Sequence, residues 1–453
     1  MERGSNYDND TLVLGFSDLS RLRRERPMVL TGGRGVFVFD EHGRDYIEAV
    51  SSFYCVALGY SEPELVEAAT RQLKTMPMYP SAVHRTVPVV LELAEKLKAV
   101  SPIPNTHVAF ATTGSEANDN LIKFLWYGNI HAGEPRRRKV ISRRGSYHGG
   151  TALLTGLGGN EALVKSFGIP TEDFVYIGQP DWPAAAQAGE TEQEYTVRLA
   201  RELDAAIQAA GPETVGAMIA EPVSVSAGML PPPAGYFDAV RNVLDRYGIQ
   251  LFVDEIVTGF GRTGRMWGSE ALGILPDCIT CAKGLSSAYQ PISAILMSDA
   301  FHDRIERASG EHGWFAHAGT YHAHPVAAAV ALRTLEIFEE RDILGQVQRI
   351  IPVWHRALRG LEDHPLVGSV RLFGLAGAVA LRRPGGGAAS EERSLKVSGL
   401  GRAAVDAGTE QGMLVRPVGD SVVMAPPLII TEAEIGELVR RLRKALDAVL
   451  AAA

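Results

Sequence analysis

Two side chains that can do chemistry, a carboxylate and an amine, come directly after apolar runs of the kind that form buried strands. Asp254 follows Gln-Leu-Phe-Val, and Lys283 follows Thr-Cys-Ala and precedes a glycine. In a dry cleft the charged form of a lysine is disfavoured, which makes its amine a nucleophile toward a carbonyl. Taken alone, the two residues are explained more simply by a structural ion pair.

A third feature lies at residues 112–118 (TTGSEAN), which follow one apolar run and open an amphipathic one. Backbone N–H groups and hydroxyls gather there at the positive end of a predicted helix, which suits an anion. An ordinary N-cap by Thr113 or Ser115 fits the segment equally well. A lysine nucleophile, a carboxylate for a ring nitrogen and an anion cradle are together what pyridoxal phosphate requires, so the three features predict that cofactor.

Two other patterns favour different ligands less well. Residues 259–264 (GFGRTG) match the G-x-G-x-x-G dinucleotide motif, but residues 265–268 do not read as a helix start and Asp254 and Glu255 would repel a pyrophosphate. The second pattern is a histidine-rich tract without cysteine or clustered carboxylates, formed by His312, His317, His322 and His324. We expect neither a dinucleotide nor a metal site.

The elements that must position these residues form an alternating pattern between about residues 107 and 300. Helical stretches at 115–130 and 236–247 lie between short apolar runs, which implies a mostly parallel sheet with both faces covered. Ligands of such sheets bind at the carboxyl ends of the strands. Seven runs are the predicted strands, at residues 107–112, 139–142, 173–177, 215–220, 249–254, 278–282 and 292–297.

The two ends of the chain predict smaller units. Residues 35–40 and 44–50 read as a hairpin around a glycine-containing turn, and 61–64 (SEPE) reads as a capping box that opens a helix to about Lys74. A long helix is expected at 324–340 and a last one after the capping box at 431–434, with a flexible surface loop at 382–390. We predict a large domain at 61–330 and a smaller α+β domain made from 1–60 and 331–453.

Composition excludes several classes of protein. The 453 residues include 45 basic and 53 acidic side chains, a net charge of −8 that gives no electrostatic footprint for nucleic acid. The first ten residues lack the basic start and apolar run of a secretory signal, and no apolar run reaches about 18 residues, so we expect a cytoplasmic protein that binds no membrane. Three cysteines are too few for a disulfide scaffold, and the C-x-x-C pair Cys278 and Cys281 reads as packing residues of a strand.

Six motifs, in this order along the chain, resemble those of the class III pyridoxal-phosphate aminotransferases of fold type I. The resemblance covers most of the chain from about residue 30, and the motifs are specific as a set, although each alone is weak. They are residues 113–119 (TGSEAND), 147–149 (YHG), 220–222 (AEP), 254–264 (DEIVTGFGRTG), 282–284 (AKG) and 320–325 (TYHAHP).

The resemblance implies a role for each matching residue at the cofactor ring. Lys283 would hold the cofactor covalently and then carry the proton between the substrate carbon and the cofactor. Asp254 would pair with the pyridine nitrogen and keep it protonated. Tyr147 would stack on one face of the ring and Ile256 on the other, with Glu221 behind them.

At the phosphate, the resemblance implies that Gly114 and Ser115 bind from one chain and Thr320 from a partner subunit. The active enzyme would therefore be at least a homodimer with shared active sites.

The C-terminal segments 415–420 (VRPVGD) and 425–428 (APPL) look like the ω-amino-acid or amine:pyruvate branch of the family. There the arginine of Arg-Pro, here Arg416, binds a substrate carboxylate and swings aside for an amine without one. In branches that use 2-oxoglutarate an arginine stands at the position of Val423, so the resemblance implies pyruvate as the acceptor.

Three departures from this branch indicate an altered amine pocket. The usual Leu-Trp-Cys is residues 53–55 (FYC), which gives the substrate pocket the phenol of Tyr54 instead of an indole. The Gly-rich run after residue 222 is bulkier (VSVSAG), and Gly319 replaces a common aromatic residue.

The expected activity is a ping-pong transfer of an amino group from a primary amine or ω-amino acid to pyruvate. Alternatives are a diaminopelargonate-type or 2-oxoglutarate-using aminotransferase, an aminomutase or decarboxylase on the same fold, and a cofactor-binding partner protein without turnover. The physiological amine, the stereochemistry, the pathway and the choice between dimer and tetramer stay open.

Overall fold

A computed structural model describes residues 11–182, 184–383 and 399–452. The strands, β1 to β15 in chain order, are Leu30–Arg34, Phe37–Asp40, Asp45–Glu48, His107–Ala111, Lys139–Arg143, Phe174–Ile177, Val215–Ala220, Gln250–Asp254, Cys278–Cys281, Ser293–Met297, Val367–Phe373, Ala376–Leu381, Met413–Leu414, Arg416–Val418 and Ser421–Met424. The helices, α1 to α15 in chain order, are Leu19–Arg24, Ser51–Tyr54, Pro63–Thr75, Pro88–Val100, Gly114–His131, Ala152–Leu157, Glu161–Phe167, Glu192–Ala210, Tyr236–Arg246, Gly268–Leu272, Asp299–His312, Pro325–Glu340, Ile343–Arg359, Gly399–Glu410 and Glu432–Ala451. Short 3₁₀ turns occur at Pro212–Thr214 and Lys283–Ser286.

The central sheet has seven strands in the order β4-β10-β9-β8-β7-β5-β6, and each of them coincides with a predicted apolar run. Strand β10 runs antiparallel to both of its neighbours, while the pairs among β9, β8, β7, β5 and β6 are parallel. The predicted α/β fold with a mostly parallel seven-stranded sheet is confirmed.

Both faces of this sheet are covered, which explains why its strands read as continuous apolar runs. On β7, Ala217 and Ile219 belong to one buried apolar cluster, and Met218 and Ala220 belong to another. Successive side chains of a strand point to opposite faces, so the two clusters lie on opposite sides of the sheet. Cys278 and Cys281, three residues apart on β9, divide between the same two clusters as free thiols.

Both ends of the chain contribute to one small sheet, β1-β2-β3-β13. Its C-terminal strand β13 pairs in parallel with β3, with Met413 opposite Ile47. A further sheet, β11-β12-β15-β14, is built from the C-terminal part alone. The domain boundaries near residues 60 and 330 stay a prediction.

The structure corrects the predicted start of one helix and confirms the start of another. Glu62, and not Ser61, caps α3, because Ser61 has a φ of 61° and its hydroxyl donates to the carbonyl of Gly33. The capping box of Thr431 and Glu434 is present at α15.

Two predicted features fall outside the described residues. The first ten residues, which lack a secretory signal, are among them, and so are all but the first two residues of the predicted loop at 382–390. None of the helices described is long and apolar enough to cross a membrane.

Candidate active site

Lys283 lies immediately beyond β9, where the chain turns at the carboxyl edge of the central sheet. It begins a 3₁₀ turn and has a φ of 46°. Burial lowers the pKa of its amine, because a dry environment penalises the ammonium form. A lowered pKa leaves more of the amine neutral, the form that attacks a carbonyl carbon.

Asp254, the last residue of β8, has both carboxylate oxygens fixed by hydrogen bonds. Oδ2 accepts from Asn118 Nδ2 at 2.9 Å and from His148 Nδ1 at 2.8 Å, and Oδ1 accepts from the backbone N–H of Ile256 at 3.0 Å. The residue is only 4% exposed. Its one contact with a basic side chain among the described residues is with His148, so the ion pair with Lys283 that the simpler alternative required is not formed.

The phosphate-type loop is the N-terminus of α5, a helix of 18 residues. Thr113 is the N-cap, and its hydroxyl accepts from the backbone N–H of Glu116 at 3.1 Å. Ser115 does not cap the helix; its Oγ accepts from the backbone N–H of Gly150 at 3.1 Å. The capping need is thus met by Thr113, and the first-turn N–H groups of Gly114 and Ser115 are available to an anion.

A cavity of about 150 Å³ joins these elements. It brings together seven of the residues predicted for the cofactor, namely Gly114, Ser115, Tyr147, Glu221, Asp254, Ile256 and Lys283. Thr320 does not line it and is exposed in the turn before α12.

Tyr54 and Arg416 lie beside this cavity. The ring centroid of Tyr54 is 5.4 Å from Lys283 Nζ and 5.8 Å from Arg416 Cζ. The Tyr54 ring is therefore within cation–π distance of both the amine and the guanidinium.

The cavity fits pyridoxal phosphate in its donor set and in the space that its glycines keep open. It offers an amine for the aldehyde, a fixed carboxylate for the ring nitrogen and a helix N-terminus for the phosphate. A Cβ at Gly149 would lie 2.7 Å from Ser115 Oγ, and one at Gly114 would lie 2.7 Å from Ile256 Cδ1. Side chains at either position would displace the predicted phosphate and ring contacts.

Glu221 is a buried carboxyl whose Oε1 has no hydrogen-bond partner within the described structure. Burial raises its pKa to about 7, an effect opposed by the nearby His148 and Arg143. The guanidinium of Arg143 donates to the backbone carbonyl of Glu221 at 2.5 Å. The carboxyl therefore changes its charge near neutral pH beside the cofactor cavity.

This pKa predicts a pH-dependent stability that Glu221→Gln removes. A pKa raised from 4.5 to about 7 by folding contributes stability that is fully present below pH 4.5 and is lost as the pH rises through 7. Between about pH 5 and 8, the free energy of unfolding of the wild type should fall by about 2–3 kcal/mol more than that of the variant.

Urea denaturation at the two pH values measures this difference, and Glu95→Gln, on the exposed face of α4, is the matched control. Burial also raises the pKa of Glu48 to about 7, but Glu48 is present in all three proteins and cancels from the comparison. An equal change in the free energy of unfolding between the two pH values for the wild type and Glu221→Gln would contradict the raised pKa.

The two side chains that hold Asp254 were not predicted from the sequence. Asn118 and His148 both lie within quoted motifs, but nothing in their spacing shows that they converge on one carboxylate. Thr280 on β9 donates to Asn118 Oδ1 at 2.7 Å, and Asn118 in turn donates to the carbonyl of His148 at 2.7 Å. The four groups form one buried network under the cavity.

The structure also shows where the glycine-rich motif at 259–264 and the histidine-rich tract lie. Residues 259–264 lie in turns, and the following helix α10 begins only at Gly268. In the histidine tract, His322 Nε2 contacts Glu116 Oε1 at 2.8 Å. Among the described residues, the one group of three potential metal ligands is His302, Asp303 and Glu306 on α11, which includes none of the tract.

Comparisons with known proteins agree with this geometry. The sequence profile described as Aminotransferase class-III matches residues 20–446. A gamma aminobutyrate transaminase of Solanum lycopersicum is 40% identical over 421 residues, which cover 93% of this chain and 81% of the relative. A vanillin aminotransferase of Capsicum chinense is 40% identical over 424 residues, which cover 93% and 91%.

Among solved structures, the omega transaminase of Pseudomonas jessenii in complex with PMP superposes with a TM-score of 0.94 at 38% identity and covers 98% of this chain and 97% of its own. The fold and the cavity define a pyridoxal-phosphate-dependent transferase of fold type I. More narrowly, the chain belongs to the class III aminotransferases. It is a transaminase whose cofactor is pyridoxal 5′-phosphate.

Proposed function

We propose that this aminotransferase moves an amino group from a primary amine or an ω-amino acid to pyruvate by a ping-pong reaction. The observation that carries the proposal is the position of Arg416 on β14, beside the Tyr54 ring, which also lies near Lys283. A guanidinium there can bind a substrate carboxylate through two parallel hydrogen bonds.

The residue paired with Arg416 on the neighbouring strand supports pyruvate as the acceptor. Arg416 pairs with Val423 of β15, the position where a second arginine would be needed for 2-oxoglutarate. Val423 is fully buried and apolar, so it offers nothing to a second carboxylate. Of these two paired positions only Arg416 carries a charge, which matches a keto acid with one carboxylate.

The names of the relatives support a terminal primary amine as the donor. One relative is a gamma aminobutyrate transaminase and another a vanillin aminotransferase. An amine of the first kind carries a distant carboxylate and one of the second kind carries none. An arginine that binds a carboxylate when one is present and moves aside when none is present serves both kinds of donor.

The chain's own residues divide the remaining work. The bound cofactor supplies the electron sink for the carbon from which the proton is removed. Lys283, with its lowered pKa, accepts that proton and later returns it. Asp254, fixed by three donors, holds the proton on the ring nitrogen, and the first turn of α5 binds the phosphate.

We also propose that the active form is a homodimer in which Thr320 reaches the phosphate of the partner. In a single chain Thr320 is exposed and lies outside the cofactor cavity, and the neighbouring Tyr321 is 61% exposed. Sedimentation of the holoenzyme tests this proposal, and a monomer with full activity would contradict it.

Replacing Arg416 with alanine should raise the KM for pyruvate by about 10- to 100-fold, because a charge-assisted bidentate contact is lost. The kcat/KM for benzylamine, which has no carboxylate, should change far less. Steady-state kinetics with each substrate varied in turn measure both effects.

Arg402→Ala is the matched control for this change. Arg402 and Arg416 both line a pocket of about 300 Å³ outside the cofactor cavity, but Arg402 is paired with Asp406 at 2.8 Å. An equal loss toward pyruvate and benzylamine in Arg416→Ala would refute the carboxylate role, and turnover with 2-oxoglutarate alone would refute the acceptor.

A further inference from the structure

The short helix α2, Ser51–Tyr54, is a single left-handed turn between β3 and α3. The φ angles of its residues are 49°, 47°, 63° and 70°, and no glycine is among them. Residues with a side chain rarely adopt this conformation, and four in succession require surroundings that impose it. Such concentrations of strain are typical of functional sites, and this turn positions two aromatic side chains.

Hydrogen bonds to a nearby carboxylate and to a distant backbone carbonyl hold the turn in place. The Glu48 carboxylate accepts from the backbone N–H groups of Val50, at 3.2 Å, and Ser52. The Ser51 hydroxyl donates to the carbonyl of Ala425 at 2.6 Å, which ties the turn to the segment after β15. The turn is thus anchored to the strands that carry the substrate-side residues.

The turn directs two consecutive aromatic rings toward one guanidinium. Arg416 Cζ lies 5.2 Å from the ring centroid of Phe53 and 5.8 Å from that of Tyr54. Both distances are within the range of a cation–π contact. Phe53 is 55% exposed, so burial in the core does not account for its position.

The space next to these rings lets the guanidinium move. A pocket of about 300 Å³ is lined by Phe53 and Arg416 together with Phe16, Val405 and Leu414. In the position that the structure shows, the guanidinium is within cation–π distance of both rings. The two ring contacts therefore favour this position, beside the Tyr54 ring and near the amine of Lys283, over one farther from the rings.

We propose that Phe53 is a specificity-determining residue, whose ring holds Arg416 in the carboxylate-binding position and so favours keto acids over carboxylate-free amines. The inference rests on the proposed function of Arg416. Leucine, common at this position in the branch that the sequence resembles, has no π face and cannot make the contact.

Phe53→Leu tests this role, with Phe53→Tyr as the matched variant that keeps the ring. We expect Phe53→Leu to raise the KM for pyruvate about two- to five-fold, the fold-change that corresponds to an exposed cation–π contact. Its kcat/KM for benzylamine should stay the same or rise, and Phe53→Tyr should stay within about two-fold of the wild type. Cofactor absorbance and circular dichroism of each variant check that it is folded and loaded.

A double-mutant cycle with Arg416→Leu separates the contact from a general effect on the pocket. If Phe53 acts through the guanidinium, Phe53→Leu has no further effect on pyruvate in the Arg416→Leu background. An undiminished effect in that background, or an equal change toward pyruvate and benzylamine in the single variant, would overturn the inference.

An error in the proposed function would be detected differently, because it would change the acceptor that the wild type uses. A wild type that turns over 2-oxoglutarate and not pyruvate would show that the proposed acceptor is wrong. The same variants are then compared with 2-oxoglutarate, whose carboxylate meets the same guanidinium, and the same outcomes decide the role of Phe53.

Discussion

Replacing Lys283 with alanine should lower turnover by at least about 10⁴-fold, because both a nucleophile and a positioned proton carrier are removed. Lys283 is the one amine among the described residues that line the cofactor cavity. The visible absorbance of the lysine-bound cofactor should also disappear, since no other lining group can replace the amine. A spectrum of the purified variant with added pyridoxal phosphate measures this loss independently of activity.

Lys139→Ala is the matched control for this experiment. Lys139 begins β5 in the same sheet, and its Nζ donates to the carbonyl of Ala210 at 2.8 Å, outside the cavity. The control should keep the wild-type spectrum and rate. Turnover of Lys283→Ala near that of the wild type would rule out the lysine mechanism.

Replacing Asp254 with asparagine should lower kcat by about 100- to 1000-fold, the usual cost of losing one preorganised electrostatic contact at a reacting group. The amide has the size of the carboxylate but no charge with which to hold a proton on the ring nitrogen. It also disturbs the contacts from Asn118 and His148, because one side of the amide donates instead of accepting. The amine half-reaction, followed in a single turnover, reports the effect directly.

Asp173→Asn provides the control for the loss of a carboxylate. Asp173 precedes β6 and pairs with Arg138 at 2.9 Å on the outer part of the sheet. We expect its single-turnover rate to match that of the wild type. An equally fast Asp254→Asn variant would show that the reaction does not depend on a charge at this position.

The central sheet was predictable from the sequence because buried parallel strands have a simple sequence pattern. Each such strand is an uninterrupted apolar run, and its carboxyl end is marked by the first polar residue that follows. Asp254 and Lys283 were found in this way, and the cavity contains both. The N-terminus of α5 was equally predictable, since Thr113 and Glu116 are local capping signals.

Features that depend on contacts between distant residues were not predictable. The left-handed turn Ser51–Tyr54 contains no glycine, and one of its anchors, Ala425, is 374 positions away. The predicted cap at Ser61 was wrong for the same reason: the Ser61 hydroxyl is engaged by the carbonyl of Gly33 on β1. Local sequence patterns predict local hydrogen bonds, whereas tertiary contacts determine the conformation of these two segments.

The central claim is most directly tested by the absorbance of the purified protein with pyridoxal phosphate, recorded before an amine is added, after it, and again after pyruvate. The account predicts that the band of the lysine-bound cofactor bleaches with benzylamine or 4-aminobutyrate and returns with pyruvate, which separates the two half-reactions in one cuvette. A band that returns only with 2-oxoglutarate would contradict the acceptor assigned from Arg416 and Val423, and a band that no amine bleaches would contradict the proposed donor class.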